Sequence, residues 1–291
     1  MGRYLVERGR AVRNVLIYTL IANSFVALAK VIFGYLTNSI SILSDGFHSF
    51  FDGVSNIVGL IGISIASHPP DSRHPYGHRK YETLFTLIIA AMIFATCYQI
   101  LRSAYESLSN TPKTTVTVTS FAIILITLSI NTIVMLYETR KGKELGSEFL
   151  LADARHTKSD IFVSLSVLIG LLLFRAGYTR VDAIVGVVIA LLIAKMGYEI
   201  IKEASTVLVD TVCIDTGLIE KALRDVEGVK GCHDIRTRGT IKSIFLDLHV
   251  CVRPDITLEE AHDIADRVEA MIKERFPDVV DIVVHVEPDK G

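Results

Sequence analysis

His48 and Asp52 stand four residues apart inside one long apolar block, and His156 and Asp160 repeat that spacing inside another. In a helix a step of four returns to the same face, so each pair points one imidazole and one carboxylate the same way. A carboxylate at bilayer depth costs several kcal/mol unless it is paired, solvated or bound to a metal. Two such pairs facing each other supply two nitrogens and two oxygens, a tetrahedral set suited to Zn²⁺. A hydrogen-bonded polar contact holding helices together accounts for one pair equally well. Its recurrence on a second block weights the reading toward a metal.

Other donors gather elsewhere. Asp71, His74 and His78 share one short connection, where they either bind a metal near the mouth of the bundle or are ordinary loop side chains. His233, His249, His262 and His285 crowd into the C-terminal stretch, with Glu287 two positions from His285. One histidine on a strand is unremarkable, whereas four on neighbouring elements beside an acid point to metal ligation. Cys232 and Cys251 lie near two of them and read as small filler side chains. Asp45, one turn from His48, is a weaker candidate for relaying ions or protons. Asp153 and Asp182 also fall within or near apolar blocks, and Lys80 with Glu82 suggests a structural ion pair.

The elements that must position these residues come in two kinds. Half of the 291 residues are hydrophobic, more than a soluble domain of this size needs. A hydrocarbon core ~30 Å thick takes about 20 apolar residues per helix. Six blocks reach that length, at roughly 12–36, 40–66, 82–108, 115–137, 149–174 and 179–206. The first starts near Ala11 and runs too long for a cleavable signal, so it is expected to be a retained span. Arg3, Arg8, Arg10, Arg13, Arg73, Arg79, Lys80, Arg140, Lys141 and Lys143 all fall on one side of these spans. The positive-inside rule then places both termini in the cytoplasm. Gly46, Gly53, Gly59 and Gly62 in the second span suit close helix approach, or are neutral.

The expected fold class is therefore a membrane all-α bundle of six transmembrane helices (1–206) followed by a cytosolic α+β domain (207–291). Residues 1–206 carry 19 Lys and Arg against 14 Asp and Glu, and the remainder 11 against 18. An acidic cytosolic domain does not suggest a nucleic-acid partner, so none is expected, and it suits cations. In it, Ile244, Leu246, Leu248, Val250 and Val252 alternate with Phe245, Asp247, His249 and Cys251, the pattern of a half-buried strand. Thr257-Leu-Glu-Glu260 is a capping box opening a helix to about Arg275. Helix 216–226, strand 229–238 and a final strand with Ile282, Val284 and Val286 inward complete an αββαβ order, a small sheet covered on one face. Four cysteines without a Cys-x-x-Cys pair are no disulfide framework, and a reducing compartment follows.

The stretch Ser39-Ile-Ser-Ile-Leu-Ser-Asp-Gly-Phe-His48-Ser-Phe-Phe-Asp52, the loop His74-Pro-Tyr-Gly-His78, the run Ala154-Arg-His156-Thr-Lys-Ser-Asp160, His233-Asp-Ile-Arg-Thr-Arg238 and the closing His285-Val-Glu-Pro288 together resemble the cation diffusion facilitator family, in particular its YiiP-type members. The resemblance covers nearly the whole chain. It implies a transport site of His48, Asp52, His156 and Asp160, a loop site of Asp71, His74 and His78, and a binuclear site of His233, His249, His262, His285 and Glu287. It also implies a metallochaperone-like (ferredoxin-like) C-terminal fold, a homodimer, and a charge interlock through Lys80 and Asp210. His48 stands where the YiiP type has a carboxylate, as in zinc-selective branches, and Val286 replaces a Gln. His68 has no counterpart in these sites.

The function expected from this is alternating-access Zn²⁺/H⁺ antiport, with Cd²⁺, Co²⁺ or Fe²⁺ also possible as cargo. Partners are the lipid bilayer, divalent cations, protons and a second copy of the chain. Zn²⁺ in the C-terminal domain is expected to be regulatory or structural. The location is a prokaryotic plasma membrane. Alternatives are an Mn²⁺ or Fe²⁺ exporter of the same family, or a membrane metal sensor that does not transport. A metal-dependent hydrolase needs an open site with a general base, and no His-Glu-x-x-His motif occurs, so no enzyme is expected.

Overall fold

A computed structural model of the chain describes residues 2–36, 40–109, 118–175, 181–240 and 242–289. It divides into two compact units, residues 2–204 and 205–291.

Six long helices dominate the first unit: α1 (Gly2–Leu36), α2 (Ile40–Ala66), α3 (Lys80–Ser109), α4 (Val118–Leu145), α5 (Glu148–Arg175) and α6 (Val181–Leu208). All seven prolines lie outside them, as expected of a residue that removes a backbone donor and clashes with the preceding turn. Two helices outrun the apolar blocks by two turns or more. α1 starts ahead of the expected span, at Gly2, and its added turns include the buried Arg8. α4 continues past Tyr137 on turns bridged by Arg140–Glu144 (2.9 Å) and Lys141–Glu144 (2.6 Å), spacings that stabilise a helix surface.

Among the described residues, Glu7–Phe33, Lys80–Glu106 and Ile184–Leu208 are long and apolar enough to cross a membrane. Only about a third of each most apolar window is buried, 33%, 28% and 33% respectively, so most of its apolar side chains face outward. Phe25, Leu28, Ile32, Ile88 and Leu191 are among those exposed. Such a surface matches a lipid solvent and not water.

Inside the bundle, Val12, Leu16, Ile63, Ile89, Ile93, Phe149, Leu150 and Ile193 form one core. Two glycines of α2 make room for it. A Cβ on Gly59 would meet Phe149 Cε1 at 2.2 Å, and one on Gly62 would meet Phe85 Cγ at 2.5 Å. The close approach expected of this span is thus filled by aromatic rings from α5 and α3.

At one end a buried polar network ties three elements together. Arg8 pairs with Glu82 at 2.8 Å, both side chains almost wholly excluded from solvent. Arg8 also donates to the carbonyls of Leu145 and Gly146, each at 2.8 Å. Glu82 in turn accepts from the Ser147 hydroxyl and, at 3.4 Å, from the Phe149 amide. The structural ion pair expected at Glu82 therefore exists, but its partner lies 74 residues away on α1.

The second unit holds α7 (Thr216–Leu223), β1 (Gly231–Thr240), β2 (Ser243–Val252), α8 (Leu258–Arg275) and β3 (Val279–Pro288). The sheet order is β1-β2-β3, antiparallel between the first two and parallel between the last two. Asp215 caps α7, and Thr257 with Glu260 forms the expected capping box on α8. Strict alternation along β2 buries Leu246, Leu248 and Val250 against Ile219, Leu223, Ile264, Val268 and Ile272 of the helices. The opposite face of the sheet, with His249 and Cys251, is left open.

Removing one partner of a buried pair strands the other charge, at about 3–5 kcal/mol. Arg8→Ala is expected to lower the thermal unfolding midpoint in detergent by several degrees. Arg8→Ala with Glu82→Gln is expected to cost less than the sum of the two singles, a coupling that a double-mutant cycle measures.

Candidate metal sites

α5 places His156 and Asp160 one turn apart, and both line a cavity of about 20 Å³ with Asn23, Ser49, Ser55 and Thr157. That volume holds roughly one water or one ion. His156 is 4% exposed, and among the described residues neither of its ring nitrogens has a hydrogen-bond partner. A buried imidazole without partners is costly, and its free lone pair is what a metal takes. Ser49 on α2 accepts a hydrogen bond at 2.8 Å from Lys30, a buried lysine of α1. α2 carries His48 and Asp52, but their side chains and those of Asp45 and Asp182 lie outside the described residues.

Asp71, His74 and His78 come together in the α2–α3 connection, with one ligand atom from each within 4.8 Å of the others. The Asp71 carboxylate accepts from the backbone amides of His74 (2.7 Å) and Arg73 (2.8 Å). These bonds hold its pKa below the ordinary carboxylate value. His74 Nδ1 lies 3.4 Å from one oxygen and His78 Nε2 3.6 Å from the other. His68 joins this neighbourhood, its ring centroid 5.8 Å from that of His78 and its Nδ1–H donating to the Ile65 carbonyl at 3.1 Å. Position in the chain gave no signal of that.

In the C-terminal unit the strand register does the assembly. His233 pairs with His249 across β1 and β2, and His249 with His285 across β2 and β3. Three imidazoles thus stand side by side on the open face, with centroids 5.1 Å and 4.6 Å apart. The next row on that face holds Cys251 opposite Glu287. The Glu287 carboxylate contacts His233 Nε2 and lies 3.9 Å from His249 Nδ1, an atom that is buried and unbonded. Donors of His233, Cys251 and Glu287, and of His249, His285 and Glu287, lie within 4.8 Å of one another. Imidazole, carboxylate and sulfur at this spacing fit a transition-metal ion such as Zn²⁺. Cys251, read from the sequence as filler, is among the donors. Burial raises its thiol above the ordinary cysteine value, so ligation there must displace a proton.

His262 is not brought to this group within the chain. It lies exposed on α8, 3.9 Å from Asp266, and α8 packs on the other face of the sheet. Its place near the apolar stripe puts it with the helix-covered face instead. Cys232 packs beside the core.

Comparison with known proteins aligns with both units. Residues 16–209 match the cation efflux transmembrane domain, and residues 214–289 the cytoplasmic domain of cation efflux proteins. The chain is 36% identical to the uncharacterized transporter MJ0449 of Methanocaldococcus jannaschii, covering 96% of this chain and 99% of that protein. It is 33% identical to the manganese efflux system protein MneP of Bacillus subtilis, covering 97% and 98% respectively. It is 27% identical to the cation-efflux pump FieF of Salmonella newport, covering 96% and 94%. A solved structure named MamM-CTD aligns with 25% of this chain and 94% of its own, at 28% identity and a TM-score of 0.25.

Asp71, with its lowered pKa, is ionised above the ordinary carboxylate range and gives up its charge only in stronger acid. Asp71→Asn is expected to weaken Zn²⁺ binding between pH 7 and 5, where the wild-type carboxylate is charged, as equilibrium dialysis across pH would show. His249→Ala, which removes the centre of the imidazole row, is expected to weaken Zn²⁺ binding at the C-terminal group by at least about tenfold, read by calorimetry.

Proposed function

This chain belongs to the cation efflux family, whose members move divalent metal cations out across a membrane, and on that premise we propose that it is a Zn²⁺/H⁺ antiporter. The observation that carries the reading is His156, whose buried ring nitrogens have no partner among the described residues and which faces, with Asp160, a cavity sized for one ion. The proposed transport site adds His48 and Asp52 from α2. Two imidazoles favour zinc over harder ions, which prefer oxygen.

Coupling follows from the ligands. An imidazole binds metal only when neutral, so metal and proton compete for it. Unperturbed histidine titrates at a pKa of ~6.5, within reach of physiological gradients. Metal loads from the cytoplasm onto deprotonated His48 and His156, the helices shift to face outward, and protons entering from outside release the ion. Asp71, His74 and His78 gather cations near the entrance. The C-terminal domain, from about residue 207, senses metal through His233, His249, His285 and Glu287 and clamps a homodimer. His262 acts there only through a neighbouring element or copy. The basic connections support cytoplasmic termini in a prokaryotic plasma membrane.

Manganese is the second reading, favoured by the 33% identity to two relatives named manganese efflux system proteins, MneS and MneP. Competition between Zn²⁺ and Mn²⁺ for uptake separates the two.

In proteoliposomes with an imposed pH gradient, His156→Ala and Asp160→Ala are each expected to cut Zn²⁺ flux by at least about 100-fold, to the level of empty vesicles. Undiminished flux in either variant would refute the assigned site. Flux that ignores the pH gradient would refute the coupling.

A further inference from the structure

One buried acid has no role in the sites above. Glu138 on α4 is 0% exposed, and among the described residues neither of its carboxylate oxygens meets a donor in hydrogen-bond geometry. Asp153 on α5, 1% exposed, lies beside it. The other polar groups against Glu138 are the hydroxyls of Thr19 and Thr157. Each hydroxyl also lies 3.2 Å from a backbone carbonyl, Thr19 from that of Leu16 and Thr157 from that of Asp153. Asn56 commits its two N–H groups to Thr19 Oγ1 and Asp153 Oδ2, each at 3.0 Å. Glu138 therefore faces oxygen atoms, those of Asp153, Thr19 and Thr157. Among the described residues no lysine or arginine acts on either carboxylate.

A buried carboxylate ringed by oxygen lone pairs is a place for a cation. The donors are all oxygen: both oxygens of Glu138, the free capacity of Asp153, and the lone pairs of Thr19 and Thr157. Such a set suits a hard divalent ion and lacks the imidazoles that favour zinc. It also touches the cavity of His156 and Asp160. Thr157 lines that cavity, and so does Ser55, which bonds Asp153. Asp153 sits about one turn before His156 on α5, toward the end that carries the α4–α5 connection.

We propose that Glu138 and Asp153 form a second cation station, an all-oxygen site for a hard divalent ion, next to the His156–Asp160 cavity. It lies on the path between that cavity and the end of the bundle bearing the Asp71–His78 loop. The inference rests on the exporter reading, yet it is tested apart from it.

The experiment titrates Mn²⁺ alone into the full chain in detergent and counts bound ions by the loss of the free-ion electron paramagnetic resonance signal. Wild type and Asp160→Ala are expected to share one binding event that Glu138→Gln weakens by at least about tenfold. Glutamine keeps the shape and removes an uncompensated charge, so this variant is expected to elute as a monodisperse peak. If it aggregates, Asp153→Asn takes its place with the same expected loss. Equal Mn²⁺ number and affinity in wild type and the variant would overturn the station and leave the pair sharing a proton only. Failure of the exporter reading shows separately, as Zn²⁺ flux that survives Asp160→Ala.

Discussion

An acid taken out of water into a helical bundle must be met by positive charge or by enough donors, and the N-terminal unit is arranged around that requirement. Glu82 meets it from within the chain. Arg8, Ser147 and a backbone amide surround it, and the same guanidinium satisfies the carbonyls that end α4. That acid is a fastener, joining α1, α3 and the α4–α5 connection. Glu138 is equally buried and finds only oxygen. The two acids differ in what their neighbours give, and that difference separates a fastener from the proposed cation station.

The same accounting applies to His156. Its carboxylate companion on the next turn and the cavity in front of both supply space and charge for one ion, whereas the described residues of the surrounding helices give the ring nitrogens no hydrogen bond. Ser55 and Thr157 belong both to this cavity and to the Glu138–Asp153 pair. Polar groups on α1, α2, α4 and α5 thus form a continuous seam through an apolar bundle whose outer surface suits lipid.

In the C-terminal unit the organising constraint is geometric. A strand presents alternate residues to opposite faces, so burying Leu246, Leu248 and Val250 under α7 and α8 leaves His249 and Cys251 outside. The register then sets His233 and His285 on either side of His249. A slip of one residue on any strand would turn its histidine into the core and break the row. His262 shows the converse: the helix that covers the sheet holds it away from the open face.

Much of this was legible in the residues themselves. Block length and the absence of internal prolines determine the six helices, because hydrocarbon thickness and backbone hydrogen bonding act on any chain. Period two in 244–252 and the capping box at Thr257 determine the core strand and the helix after it, because these signals are local. The spacing of His156 and Asp160 fixes their common face for the same reason. What lies across elements was not legible. The partner of Glu82, the place of Cys251 among the histidines, the approach of His68 to the loop and the isolation of Glu138 all depend on distances between segments far apart in sequence. Glu138 follows the apolar run that ends at Tyr137 and reads as a solvated helix end. Only the packing of α1 and α5 over it removes the water, because burial belongs to the neighbours a residue acquires and not to the residue.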